Sequence, residues 1–234
     1  MRMRRVLGLV TLVVVVLGVV SCDLFQPTKV DTLKNGKPWH ADIVNIRGTK
    51  GDDELAAYDQ LNTQVRTFAG NDTIDLTEAG GQNYVDAGSG DDYVIDSPFY
   101  DTIRLGDGND TATHTGGNDF TVGDRDSDLF EIYVDQVITA PDPPYDVGGP
   151  LVTRIDGGDG EDTARFIMTQ ERVDAGYAEA ITEAFLNWRQ QDPTGELDLN
   201  VATGLLDPPL NIILADIEAL EMVNSTTNTT HVYP

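Results

Sequence analysis

The chain has 234 residues, 40% of them apolar and 7% aromatic, with 40 acidic residues against 15 basic ones and a formal charge of -25. That is enough apolar material for a core, but it is thinly spread, so a repetitive architecture competes with a compact globule. The charge excludes nucleic acid and anionic lipid as partners for the body of the protein. It points to cations, because self-repulsion of this size disfavours folding unless something neutralises it.

The chain opens on a basic head, MRMRR, and an apolar run of 15 residues, VLGLVTLVVVVLGVV, followed by Ser21 and the single cysteine, Cys22. Such a run is shorter than the ~20 residues a membrane-crossing helix needs, so residues 1–21 read as an export signal. An ordinary secretory signal with an incidental cysteine is the bland reading. The stretch VVSC, Val19 to Cys22, resembles the lipobox of bacterial lipoproteins. That resemblance implies cleavage before Cys22, lipidation of its sulfur, and an exported protein anchored in a membrane, in the periplasm or at the cell surface. With one cysteine, the monomer can form no disulfide. Residues 22–47 read as a tether and N-terminal cap with one or two short strands, in which Trp39 and His40 cover exposed core rather than form a site.

A repeat begins near residue 48. Asp53, Thr63, Asp72, Asn83, Asp92, Asp101, Asp110, Asp119 and Asp128 follow one another at nine to eleven residues, and Thr153 and Asp162 resume the series after an interruption. Two residues beyond these anchors lie Leu55, Val65, Ile74, Val85, Val94, Ile103, Ala112, Thr121, Phe130, Ile155 and Ala164, of which only Thr121 is polar. Every second anchor ends a turn rich in glycine and acid: GTKGDD (48–53), TFAGND (67–72), AGSGDD (87–92), LGDGND (105–110), GDRDSD (123–128) and GGDGED (157–162). The alternate turns are poorer. DSPFYD (96–101) has lost the pattern, although Asp119 keeps a Gly-Gly-Asn-Asp.

Such a period suits a short strand with one inward apolar side chain and a turn, two of which make a coil of ~18 residues. Coils stacked as parallel strands at ~4.8 Å would set each turn-ending aspartate above the one below, and the carboxylates would repel unless a cation lay between them. Carboxylate and carbonyl oxygens, about six to eight in a flexible loop, suit Ca²⁺ better than Mg²⁺ or a transition metal. Two other readings also use these residues. Asp-Gly and Asn-Gly are hairpin signals, giving an antiparallel meander without metal, and a β-helix could spend its Thr and Asp side chains on edge carbonyls.

Residues 48–132 and 153–166 resemble the hemolysin-type calcium-binding repeats of the RTX family, whose nonapeptide is Gly-Gly-x-Gly-x-Asp-x-apolar-x; GGDGEDTAR (157–165) is nearly a full match. The resemblance implies a mainly β fold, a right-handed parallel β-roll, with Ca²⁺ held between adjacent turns of one edge. It places the ligands at Asp53, Asp72, Asp92, Asp110, Asp128 and Asp162, with Asp91, Asp107 and Asp119 as further acids. Carbonyls around Gly51, Gly70, Gly88, Gly90, Gly106, Gly108, Gly158 and Gly160 would complete the sites. The degenerate alternate turns imply an opposite edge that binds few ions or none. An N-terminal signal departs from the family's usual C-terminal one.

Residues 135–152 read as a Pro/Gly-rich loop inserted in a roll spanning 48–166. Residues 174–191 form the strongest helix pattern, with Tyr177, Ile181, Ala184, Phe185 and Trp188 on one stripe and Asp192-Pro193 as a stop. That face is expected to cap or pack on the roll. Residues 211–223 read as strand, within a C-terminal segment of helix, capping strands and a frayed polar tail at 167–234. No nucleophile elbow, His-Glu-x-x-His or phosphate loop is present, and His40, His114 and His231 share no evident site, with His114 expected to be exposed. The expectation is therefore a structural or adhesive calcium-binding protein and no enzyme. The enzymatic alternative is a Ca²⁺-dependent polysaccharide lyase or epimerase on a β-helix, whose three-sided rungs would exceed ~20 residues.

Overall fold

The computed structural model describes residues 28–34, 37–57, 62–80, 82–139, 152–191, 195–202, 206 and 210–233, and their side chains from residue 43 onward apart from 138–139 and 201–202. The export signal, Cys22 and the Asp192-Pro193 stop lie outside the described residues, and so do the side chains of Trp39 and His40. The fold is mainly β.

In chain order, β1 (Thr28–Lys34) and β2 (Lys37–Arg47) form a hairpin, followed by β3 (Glu54–Ala56), β4 (Asn62–Arg66), β5 (Thr73–Asp75), β6 (Gln82–Ser89) and β7 (Tyr93–Ile95). Then come β8 (Tyr100–Asp107), β9 (Thr111–His114), β10 (Phe120–Arg125), β11 (Leu129–Tyr133), α1 (Val134–Thr139), β12 (Thr153–Asp159) and β13 (Thr163–Met168). The remainder holds α2 (Gln170–Asp174), α3 (Tyr177–Gln191), β14 (Leu197–Asp198), β15 (Ile212–Ala215), β16 (Ala219–Asn224) and β17 (Thr229–Tyr233).

Strands alternate between two sheets, ordered β1-β2-β4-β6-β8-β10-β12-β15-β14 and β17-β16-β13-β11-β9-β7-β5-β3. Both sheets are mixed: neighbours from β2 to β15 and from β3 to β16 pair parallel, while β1, β14 and β17 add antiparallel edges. An antiparallel meander is thereby excluded for the repeat.

The register follows the inward side chains. Val65 pairs with Val85, Val85 with Ile103, Ile103 with Thr121 and Thr121 with Ile155 in one sheet. In the other, Leu55, Ile74, Val94, Ala112, Phe130 and Ala164 stack in the same way. All eleven are buried, so each strand contributes one side chain to one of two columns in the core between the sheets. Thr121 is the mismatch, since its hydroxyl is buried between Ile103 and Ile155 with no hydrogen-bond partner. Thr121→Val keeps the shape and removes the orphaned oxygen, and urea melts are expected to show a gain of about 1 to 2 kcal/mol.

Four expectations need correction. The inserted loop does not begin at 135: residues 134–139 form α1, and 140–151 lie outside the described residues. The helix expected at 174–191 starts three residues later, because Asp174 closes a separate α2, Gly176 at φ 93° breaks the helical path and α3 runs from Tyr177 to Gln191. The stripe does pack inward, with Tyr177, Ile181, Phe185 and Trp188 buried in the core and the Trp188 indole donating to the Gly195 carbonyl at 3.1 Å. The tail does not fray, since Asn228 at φ 54° turns it back as β17 along β16. Finally, 211–223 is not a single capping strand. It divides into β15 and β16, which extend both sheets by one more step.

Candidate metal centre

The turn-ending aspartates form one hydrogen-bonded row. The Asp53 amide donates to Asp72 Oδ1 at 2.7 Å, Asp72 to Asp92 at 2.7 Å, Asp92 to Asp110 at 2.7 Å, Asp110 to Asp128 at 2.9 Å and Asp128 to Asp162 at 2.8 Å. The Asp162 amide closes the row on Glu218 Oε2 at 2.8 Å, so Glu218 is the anchor of the final step. Each aspartate from Asp72 to Asp162 thus spends Oδ1 on its neighbour's backbone. The Oδ2 atoms of Asp72, Asp92, Asp110, Asp128 and Asp162 are buried without any hydrogen-bond partner. Asp53, half-buried at the end of the row, differs, because its Oδ2 accepts from the Thr49 amide at 2.6 Å.

Five orphaned carboxylate oxygens in a row are costly unless something positive meets them. Burial pushes the Asp92 carboxyl up to about 7, Asp110 to about 6, Asp128 to about 8 and Asp162 to about 6, with Asp72 raised for the same reason. The accepted backbone N–H opposes that rise in every case, and neighbouring acids add to it, from the row itself for Asp72, Asp92 and Asp128 and from Asp91, Asp126 and Asp107 for Asp110.

Glycine at the first position of the last two turns lets oxygens of the row lie directly against the backbone. A β-carbon on Gly123 would lie 2.1 Å from Asp128 Oδ2 and 2.2 Å from the Gly157 carbonyl oxygen. One on Gly157 would lie 2.6 Å from Asp162 Oδ2 and 2.1 Å from the Asp216 carbonyl oxygen. Carboxylate and carbonyl oxygens are thus packed against glycine backbone where a side chain could not fit, and an all-oxygen donor set with unpaired carboxylate oxygens suits a hard divalent cation.

The other expected ligands are placed differently. Asp91 Oδ1 accepts from the Asn109 amide at 3.0 Å, in an exposed second row where Asn71 also accepts from the Asp91 amide at 3.1 Å. Asp107 faces outward and pairs with Arg125 at 3.0 Å. Gly70, Gly88, Gly90, Gly106, Gly108 and Gly158 have positive φ, whereas Gly51 and Gly160 do not take the left-handed region. Asp124 and Asp126 occupy the equivalent positions of the GDRDSD turn at φ 79° and 71°.

Asp119 lies on the opposite edge, which is far from bare. Asp96, Asp101, His114 and Asp119 are all buried there, and the expected exposure of His114 is overturned at 1%. The first turn position points inward throughout, as Thr67, Ala87 and Leu105 show at 0% exposure on the facing edge. Those small or apolar residues were the signal that could have placed His114 inside. Among the described residues, Asp96, His114 and Asp119 are the group that brings three ligand atoms within 4.8 Å of one another. Burial alone would lower the His114 imidazole, but the Asp119 and Asp96 carboxylates outweigh it and push it up to about 9.

None of the protein families, curated proteins or solved structures compared with the chain matches it.

Proposed function

We propose that the chain is a calcium-binding protein whose two-sheet stack is a parallel β-roll of the hemolysin-type kind, carried on a lipidated N-terminus at Cys22 and serving a structural or adhesive role outside the cytoplasm. Asp72, Asp92, Asp110, Asp128 and Asp162 would hold the ions, together with backbone carbonyls of the glycine turns. The single observation that carries this reading is the row of buried, partnerless Oδ2 atoms. Bound Ca²⁺ would supply charge neutralisation and tie each turn to the next. The residues themselves fix the spacing, through the Oδ1 bonds to successive backbone amides. The resemblance of the turn sequences to calcium-binding repeats and the net charge of -25 point the same way.

A calorimetric titration tests it. Several Ca²⁺ ions are expected to bind per chain at ~10⁻⁴ to 10⁻³ M, with a gain of β signal in circular dichroism that Mg²⁺ does not reproduce. Asp110→Asn keeps the hydrogen-bond acceptor for the Asp92 amide and loses the charge, so it is expected to bind fewer ions and bind them more weakly. Absence of binding heat, with identical spectra in Ca²⁺ and chelator, overturns the reading.

A further inference from the structure

We infer that Asp96, His114 and Asp119, on the edge opposite the aspartate row, form a buried site for one transition-metal ion of the zinc class. Three observations converge on it. Neither ring nitrogen of His114 has a hydrogen-bond partner, although the residue is only 1% exposed. Asp119 Oδ2 is likewise buried and partnerless. Both carboxylates face the same nitrogen, with His114 Nδ1 at 3.4 Å from Asp96 Oδ2 and 3.8 Å from Asp119 Oδ2. Ligand bonds of about 2.0 to 2.2 Å in a tetrahedral shell set neighbouring ligand atoms about 3.4 Å apart, which matches this spacing.

The surrounding groups hold the carboxylates in place. The Thr115 amide and hydroxyl donate to Asp96 Oδ1 at 2.8 and 2.6 Å. The Asp101 amide donates to Asp119 Oδ1 at 2.9 Å, leaving Oδ2 for the ion. Such outer contacts orient ligands at metal sites. Asp101 itself is not a ligand, because its oxygens accept from Ser97 N at 2.7 Å and Asn83 Nδ2 at 2.7 Å. An imidazole donor and a short ligand set suit zinc, cobalt or nickel, and not calcium, which collects about six to eight oxygens. A dication also balances the two carboxylates beside a neutral imidazole, in a place where uncompensated charge is expensive.

The inference does not depend on calcium binding by the aspartate row, and one experiment separates the two. Cobalt(II) is titrated into the full chain, purified in detergent with excess Ca²⁺ present. The visible ligand-field bands of four-coordinate cobalt are expected to saturate at one equivalent and to be displaced by zinc. His114→Gln is expected to weaken binding roughly 100-fold or more, whereas Asp110→Asn leaves it unchanged. No bands in the wild-type protein, or bands that persist in His114→Gln, overturn the site. Should His114→Gln not fold, nitrogen NMR of the wild-type imidazole decides: a shifted ring nitrogen on adding one equivalent of zinc supports the site, and an imidazolium signal indifferent to zinc overturns it.

Discussion

In calcium-free buffer the folded protein is expected to lose stability as pH rises from about 4 to about 8, and calcium is expected to restore it most strongly at the upper end. The sign follows from the aspartate row. Its carboxyls titrate in the folded state at about 7 for Asp92, 6 for Asp110, 8 for Asp128 and 6 for Asp162, above the ordinary aspartate value of 3.8. Between these limits the folded chain binds more protons than the unfolded one, so raising the pH favours unfolding. Below the unfolded value both states are protonated and the full stability is present. Water reaching the turns screens part of the effect, leaving a loss on the order of 5 kcal/mol across the row.

Calcium reverses the slope, because it binds the ionised carboxylates. Each site at 100-fold excess over its dissociation constant contributes about 2.7 kcal/mol. Urea melts at several pH values, in chelator and in calcium, are therefore expected to diverge as pH rises. His114, raised to about 9, contributes stability that is complete below its ordinary 6.5 and is lost through its folded value, so it adds to the apo slope only above about pH 6.5. Across the interval from pH 4 to 6.5 the row acts together with Asp101, which burial raises to about 7, and with Asp119 and Asp156, which burial also raises. An apo stability that is flat or rises across that interval would show that the carboxylates are not held apart from their ordinary titration, and that no ion is needed to settle them.

The repeat was legible because its two constraints leave different marks on the sequence. One inward position per strand demands an apolar side chain, and the register of Val65, Val85, Ile103, Thr121 and Ile155 shows that the columns could be counted before any coordinates. One turn position demands an acid, and five of the six expected anchors carry the orphaned oxygen. The last step escaped notice because its acid and its spacing change, although Leu214 and Leu220 continue the two apolar columns. Glu218 replaces aspartate, lies 56 residues beyond Asp162, and follows a shortened turn after intervening helices. The His114 cluster was hidden for a different reason: a histidine in a glycine turn reads as solvent-facing, and only the inward direction of the first turn position, common to Thr67, Ala87 and Leu105, reverses that. Which acids are buried and which face water was also beyond the pattern, since Asp91 and Asp92 are adjacent in sequence and opposite in role.

Gly90→Ala is expected to cost about 3 kcal/mol or more, while Gly51→Ala, at the same position of the same motif, stays within about 0.5 kcal/mol of wild type. Gly90 has φ 121°, and a β-carbon there would meet the Gly70 carbonyl oxygen at 2.1 Å and its carbon at 2.6 Å. Neither contact can yield cheaply, because Gly70 is itself pinned by its amide bond to the Ser89 carbonyl at 2.9 Å. Gly51 belongs to the first turn, has nothing within 4 Å of its would-be β-carbon, and does not take the left-handed backbone. The difference comes from backbone conformation and stacking together: a turn with another beneath it takes the left-handed backbone and must let a neighbouring backbone pass closely, and the end turn does neither. Urea melts of both variants, in calcium and in chelator, measure it. A Gly90→Ala protein as stable as Gly51→Ala would mean the turns are not in close register, and the converging oxygens on which an ion depends would then be too far apart to share one.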